Sequence, residues 1–244
     1  MNGTMTDRPR LGLFHTTALH IATFERLAAR HAARTGAQVE LTHVVRDDLL
    51  LKAEREGLTP ALRLHGEEAL LKLCHSGVDA VMCTCSTLGE AVDGIADEAP
   101  VPALRVDRPM ADEAVAHAMA GDGRIAIAAA LAPTLAPTRR LIEKAAREAG
   151  ADVSAHDLDM GDLWALFRAG LIDDYRARIA ERLAAASEQA DVIVLAQASM
   201  APALELIGMP KAPILTSPES GFAALVAAAE EERAAAFEPQ RVVA

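Results

Sequence analysis

The sequence predicts an α/β fold built twice: two pseudo-symmetric lobes, each a four-stranded parallel sheet flanked by helices, with a cleft between them. Three observations carry this expectation. First, short apolar stretches of strand length alternate with longer amphipathic stretches along the 244 residues, the pattern of parallel strands joined by helical crossovers. Second, one arrangement occurs twice. Residues 78–89, V-D-A-V-M-C-T-C-S-T-L-G, read as an Asp, a buried strand, a polar crest and a helix start, and residues 191–200, D-V-I-V-L-A-Q-A-S-M, repeat it. The crest residues Cys85 and Gln197 are 112 positions apart (197 − 85), close to half the chain. Third, hydrophobic residues make up 51% of the chain but aromatics only 3%. The core is therefore aliphatic, as close packing of helices on a parallel sheet requires.

The elements follow in order. Residues 10–15, R-L-G-L-F-H, read as a strand, and 18–36 as a helix. A second strand is expected at 38–44, a short helix near 48–53 and a longer one over 59–76. The apolar run after Ser76-Gly77 is the third strand, and Leu88, Ala91, Ile95 and Ala96 form one side of the helix after it. P-A-L-R-V at 102–106 is the fourth strand, and a helix over 109–119 leads out of this half. The second half restarts at G-R-I-A-I-A-A-A, residues 123–130. A helix over 136–149, a strand at 152–156 and helices near 160–169 and 172–189 precede the Gln197 strand. A short helix at 200–208, the strand P-I-L-T at 213–216 and a helix over 218–234 complete the chain, the last opened by Ser217. The first lobe is expected to comprise 1–107 plus 217–244, and the second 108–216. The last residues, P-Q-R-V-V-A, read as a loose tail.

Composition excludes several functions. A net charge of −11 without a basic stripe argues against nucleic acid or an anionic membrane surface as partner. The first ten residues lack the apolar region of a signal peptide, and no apolar run has the length of a membrane span. Cys74, Cys83 and Cys85 are an odd number, so a disulfide framework is not expected and a reducing cytoplasm is. No second Cys/His pair has zinc-ligand spacing, and neither a P-loop nor G-x-G-x-x-G occurs, so no metal and no cofactor is expected.

In open α/β sheets, ligands bind beyond the carboxyl ends of the strands. The crests at 15–17, 85–87, 130–134, 197–199 and 216–217 all fall there. Cys85 is the leading catalytic candidate. A thiol at a helix start sits beside unpaired N–H groups and the positive dipole end, which predicts a lowered pKa and a site for a carboxylate. Cys83 is expected to point away from it into the core, and Cys74 to be core or surface. Ser86 and Thr87 cap a helix, a role compatible with holding a carboxylate. Ser199 has the same double reading. His15, at the first crest, is a second catalytic candidate, an acid or base or else a structurally satisfied strand-end histidine. Gln197 is no base near neutral pH, but its amide can hydrogen-bond a carboxylate or an enolate oxygen. Arg105 and Arg108 read as surface charges or an ion pair between lobes.

At these crests the chain resembles the cofactor-independent aspartate/glutamate/hydantoin racemase superfamily over nearly its whole length. That superfamily carries a Cys-Asn-Thr-like crest in the first half, here Cys85-Ser86-Thr87, and a Cys-Thr-His or Cys-Ala-Gly-Met crest in the second, here Gln197-Ala198-Ser199-Met200. L-F-H-T-T at 13–17 is similar to the first substrate-holding loop, which assigns Thr16 and Thr17 to binding. A-A-A-L-A-P-T at 128–134 is similar to its counterpart, with Thr134 as the surviving hydroxyl, and I-L-T-S-P-E at 214–219 to the segment that returns to the first lobe. The resemblance implies an isomerase of a small carboxylate or amino acid. Thr16, Thr17, Ser86, Thr87, Thr134, Gln197, Ala198 and Ser199 would bind it, and Cys85 would move the proton. Two-base members use one cysteine per lobe, and this chain has only the first. A single-cysteine decarboxylase, a cis-trans isomerase and a non-catalytic carboxylate-binding protein are therefore the alternatives. The resemblance also implies a homodimer as an expectation.

Overall fold

A computed structural model describes residues 8–237; the expected tail at 239–244 lies outside them. The first half runs β1 (Arg10–His15), α1 (Leu19–Thr35), β2 (Glu40–Val45), α2 (Asp47–Glu56), α3 (Pro60–Cys74), β3 (Ala80–Cys83), α4 (Glu90–Gly94) and β4 (Ala103–Arg105). The second runs α5 (Arg108–Met119), β5 (Arg124–Ala129), α6 (Ala132–Ala149), β6 (Ser154–Asp159), α7 (Trp164–Arg168), α8 (Ile172–Ala186), β7 (Val192–Leu195), β8 (Ile214–Thr216) and α9 (Ser217–Phe237). The strands form two four-stranded sheets of order β2-β1-β3-β4 and β6-β5-β7-β8, with every pairing parallel.

The internal repeat extends to atomic detail. At the foot of the first sheet the Asp79 carboxylate accepts from the Arg10 backbone N–H (2.7 Å) and guanidinium (3.2 Å). At the foot of the second, Asp191 accepts from the Arg124 backbone N–H and guanidinium at the same two distances. The Asp that precedes each crest strand thus ties that strand to the first strand of its lobe. This fixes the register that carries both crests to the same end.

Local sequence explains the element boundaries. The Thr59 hydroxyl accepts from the Leu62 N–H to cap α3, and Pro60 occupies the first turn, where its missing N–H costs nothing. β3 and β7 are buried along their whole length, as strands covered on both faces are. Apolar clusters cover the faces of both sheets. α3 packs on the first sheet through Leu70 and Leu73, and α9 covers its other face through Phe222, Leu225 and Val226. α5 and α6 cover one face of the second sheet, and Tyr175, Ile179 and Leu183 of α8 the other. Gly221 lets α9 lie this close: a Cβ there would stand 2.5 Å from the Val106 carbonyl oxygen.

Three helices differ from expectation. After Cys85 there is no long amphipathic helix but a 3-10 turn, Ser86–Leu88, and then the five residues of α4. Gly89 sits at the break, where a Cβ would meet the Arg105 guanidinium at 2.7 Å. Residues 198–206 form a 3-10 helix with Pro202 inside it, rather than the short helix expected at 200–208. α6 starts at Ala132 rather than 136, because Pro133, not Pro137, takes the first turn. Across the lobes, Arg140 and Lys144 of α6 pair with Glu90 and Asp93 of α4.

Candidate active site

The carboxyl ends of both sheets face a cleft of about 430 Å³, lined by residues of both halves. Thr16, Thr17, Cys85, Ser86, Thr87, Thr134, Gln197, Ala198 and Ser199 all contribute to its wall. The two lobes touch within it: the Thr87 and Thr134 hydroxyls are 3.2 Å apart.

Cys85 lies two residues beyond the end of β3 and is 7% exposed. Its thiol pKa is raised, not lowered as the sequence suggested. Burial is the largest cause, and hydrogen bonding from the Thr16 side chain, the Leu88 and Thr87 backbones and the Thr87 side chain opposes it. The helix start after Cys85 is too short for its dipole to lower the pKa. A three-residue 3-10 turn has too few aligned peptides to outweigh desolvation. Cys83 also differs from expectation. Residues two apart share a face of a strand, and both thiols pack into the same first-lobe core. They differ in depth: Cys83 is fully buried, with its Sγ 3.5 Å from the Cys85 carbonyl oxygen, whereas Cys85 reaches the cleft beyond the strand end. Burial pushes the Cys83 thiol far up. Cys74 is core, on α3.

His15 does not line the cleft. It is fully buried behind it, with Nδ1 2.8 Å from the Thr84 hydroxyl and Nε2 2.8 Å from His43 Nδ1, and its ring stacks on His43. The cleft-lining imidazole is His20, in the first turn of α1, whose Nδ1 is 3.4 Å from the same Thr84 hydroxyl. Burial, then the neighbouring His43 and His20, lowers the His15 pKa to about 3, and burial lowers that of His20 to about 4. Both rings are neutral near pH 7.

In the second lobe Gln197 is turned inward. Its Oε1 accepts from the backbone N–H groups of Ala130 (2.6 Å) and Leu131 (2.8 Å), which leaves the amide NH₂ as the donor available to a ligand. Part of the cleft wall is aromatic. The chain has five Phe, one Trp and one Tyr, and Phe24, Trp164, Phe167 and Tyr175 all line this cleft. Trp164 stacks on Phe167 with ring centroids 4.6 Å apart. The Tyr175 hydroxyl and Trp164 Nε1 are buried with no hydrogen bond of normal geometry, although Ser199 acts on Tyr175. Among the described cleft residues Arg176 is the only Lys, Arg, Asp or Glu, and no described ion pair engages it.

Sequence reasoning missed His20, Thr84, the aromatic wall and Arg176. Thr84 was hidden between two cysteines. Phe24 lies on α1, and Trp164, Phe167 and Tyr175 on α7 and α8, where their spacing reads as ordinary core. Arg105 is a buried ion pair, bidentate to Asp107 at 3.0 and 3.1 Å, where β4 meets α5. Arg108 joins α5 to α6 through Glu148. Among the described residues no cluster of three His, Cys, Asp or Glu side chains is able to hold a metal, and no helix is long and apolar enough to cross a membrane.

The sequence model of the Asp/Glu/Hydantoin racemase family matches residues 14–228. No curated protein matches the chain in sequence. Several solved structures share its fold. Glutamate racemase from Bacillus anthracis is 14% identical, with 93% of this chain and 84% of that one covered and a TM-score of 0.65. Aspartate racemase from Picrophilus torridus is 14% identical, over 92% and 98% of the two chains, at 0.63. Allantoin racemase from Klebsiella pneumoniae is 19% identical, over 93% and 89%, at 0.54.

Proposed function

The chain belongs to the Asp/Glu/hydantoin racemase family, and from that premise we propose that it transfers a proton at a carbon next to a carboxylate, with Cys85 as the proton carrier. The observation that carries this reading is the placement of Cys85 in the interlobe cleft, among the Thr16 and Thr87 side chains and the backbone N–H groups of Thr87 and Leu88. In the isomerase form, Cys85 first loses its thiol proton to solvent through the cleft. The thiolate then takes the α-proton, the electron pair of the C–H bond passes into the carboxylate as an enediolate, and a proton returns to the carbon. Donors fixed before the reaction stabilise that developing charge without reorganisation.

In the isomerase form the substrate has one carboxylate and an apolar body. A cleft with a single guanidinium and a wall of Trp164, Phe167 and Tyr175 favours such a molecule over a dicarboxylate, whose second charge would lose its hydration against aromatic rings. A second reading has support in two observations: the opposite crest carries Gln197, which is no base, and the buried Cys85 thiol is held protonated. In a lyase, loss of carbon dioxide leaves the enediolate and the neutral thiol supplies the one proton needed.

The test is a panel of amino acids and other carboxylates incubated in deuterated water and read by NMR, with phenylglycine and phenylalanine beside aspartate and glutamate. Deuterium at Cα in the apolar members supports the proposal, and carbon dioxide release from a malonate supports the lyase form. Binding followed by neither, across the panel, would contradict both and leave a carboxylate-binding protein.

A further inference from the structure

Five side chains form a continuous row from the cleft to the surface. His20 Nδ1 is 3.4 Å from Thr84 Oγ1, Thr84 Oγ1 is 2.8 Å from His15 Nδ1, His15 Nε2 is 2.8 Å from His43 Nδ1, and His43 Nε2 is 3.2 Å from Glu25 Oε1. At one end His20 and Thr84 line the cleft. At the other the Glu25 side chain is 59% exposed. Between them His15 is fully buried. Three imidazoles in one row, two of them sharing the Thr84 hydroxyl, are more than packing of the first lobe requires.

We propose that this row is a proton path from solvent to the cleft and that His20 is its terminal acid, the group that returns a proton to the substrate carbon. The proposal rests on the proton-transfer reading above and adds a residue that reading lacks. In the loaded state His43 holds protons on both nitrogens beside the Glu25 carboxylate. His43 Nδ1–H then donates to His15 Nε2, His15 Nδ1–H to the Thr84 oxygen, and the Thr84 O–H to His20 Nδ1, leaving His20 Nε2–H for the substrate. When Nε2 gives its proton to the enediolate carbon, each partner passes one proton along. A C–H bond forms from the enediolate electron pair, and His43 ends with a single proton. Every hydrogen bond between His43 and His20 survives with its direction reversed. Imidazole suits this because it accepts on one nitrogen as it releases from the other.

Because the hop is concerted, neither buried ring has to hold a charge, consistent with the depressed values of both. The competing use of the Thr84 hydroxyl is donation to the Phe14 carbonyl oxygen, 3.1 Å away. The long 3.4 Å contact to His20 is the link that substrate binding has to tighten, as catalytic hydrogen bonds often do in the complex with substrate.

The experiment has two arms. The first needs no substrate: ¹⁵N spectra of the histidine rings in the wild type, Glu25→Gln, Thr84→Val and the double variant. If the row is connected, Glu25→Gln shifts the ring nitrogens of His15 and His20, and the His20 shift vanishes in the Thr84→Val background. A His20 ring that ignores Glu25→Gln overturns the path. The second arm uses whichever panel compound exchanges. His20→Gln is expected to lower kcat on the order of a hundredfold, the low end of what a positioned acid contributes. Glu25→Gln lies outside the cleft and is expected to lower kcat with KM unchanged. Unchanged kcat in both overturns the assignment. A panel without turnover is a failure of the functional reading alone, and the first arm still decides the path.

Discussion

At the scale of single residues, the chemistry of the site is set by the contest between burial and donors. At Cys85 burial wins, and the thiol stays above its ordinary value. The pH profile of Cys85 alkylation, read by mass spectrometry, is therefore expected to have its midpoint above about 8.5, the reference for a free thiol. Thr16→Val, which removes the largest opposing hydrogen bond, is expected to move it higher. A midpoint below the reference would restore the lowered pKa that the sequence suggested. Gln197 invites a second test. Gln197→Ala strips two backbone N–H groups of their acceptor and is expected to cost about 1–3 kcal/mol in urea denaturation, discounted where cleft water reaches them. Gln197→Cys points a thiolate at those same two donors, and its new thiol is expected to titrate below Cys85.

At the scale of elements, the strands and most helices were legible, because apolar runs and their Asp and Gly boundaries are local signals. The repeated Asp before each crest is the clearest case, since Asp79 and Asp191 make the same clamp. Legibility ended where tertiary contact overrides local pattern. The stretch after Cys85 has a helical face in sequence, yet Arg105 approaches Gly89 so closely that the chain breaks into a short turn and α4. The crest residues of the site were legible from their place at strand ends. His20 and the aromatic wall were not, because helix residues enter a cleft only through the packing of whole lobes. The return of α9 to the first sheet includes one close backbone approach, beside the packing of Phe222, Leu225 and Val226. Gly221→Ala forces a methyl against the Val106 carbonyl and is expected to destabilise by about 2 kcal/mol, as overpacking does, measured by denaturant midpoint. An unchanged midpoint would mean that α9 is free to shift.

At the scale of the whole molecule, the buried imidazoles couple folding to pH. Folding holds His15 and His20 well below their ordinary value of 6.5, at about 3 and about 4. Between about 6.5 and about 4 the unfolded chain binds these protons and the folded chain does not. Stability therefore falls as pH drops through that window and is fully present above it, by a total on the order of a few kcal/mol. Denaturation midpoints at pH 7.5, 6 and 5 are expected to decline in the wild type and less steeply in His20→Gln. A flat series would contradict the burial of these rings as neutral groups.

The measurement that bears most directly on function compares the wild type with Cys85→Ala in deuterated water. It follows loss of the Cα–H signal from each enantiomer of the carboxylate that best quenches the fluorescence of Trp164, the single tryptophan of the chain. Exchange by the wild type is expected, with a fall on the order of a hundredfold or more in Cys85→Ala while quenching persists, since removing the sulfur leaves the aromatic wall intact. Cα exchange in Cys85→Ala at the wild-type rate would contradict the assignment of Cys85 as the proton carrier.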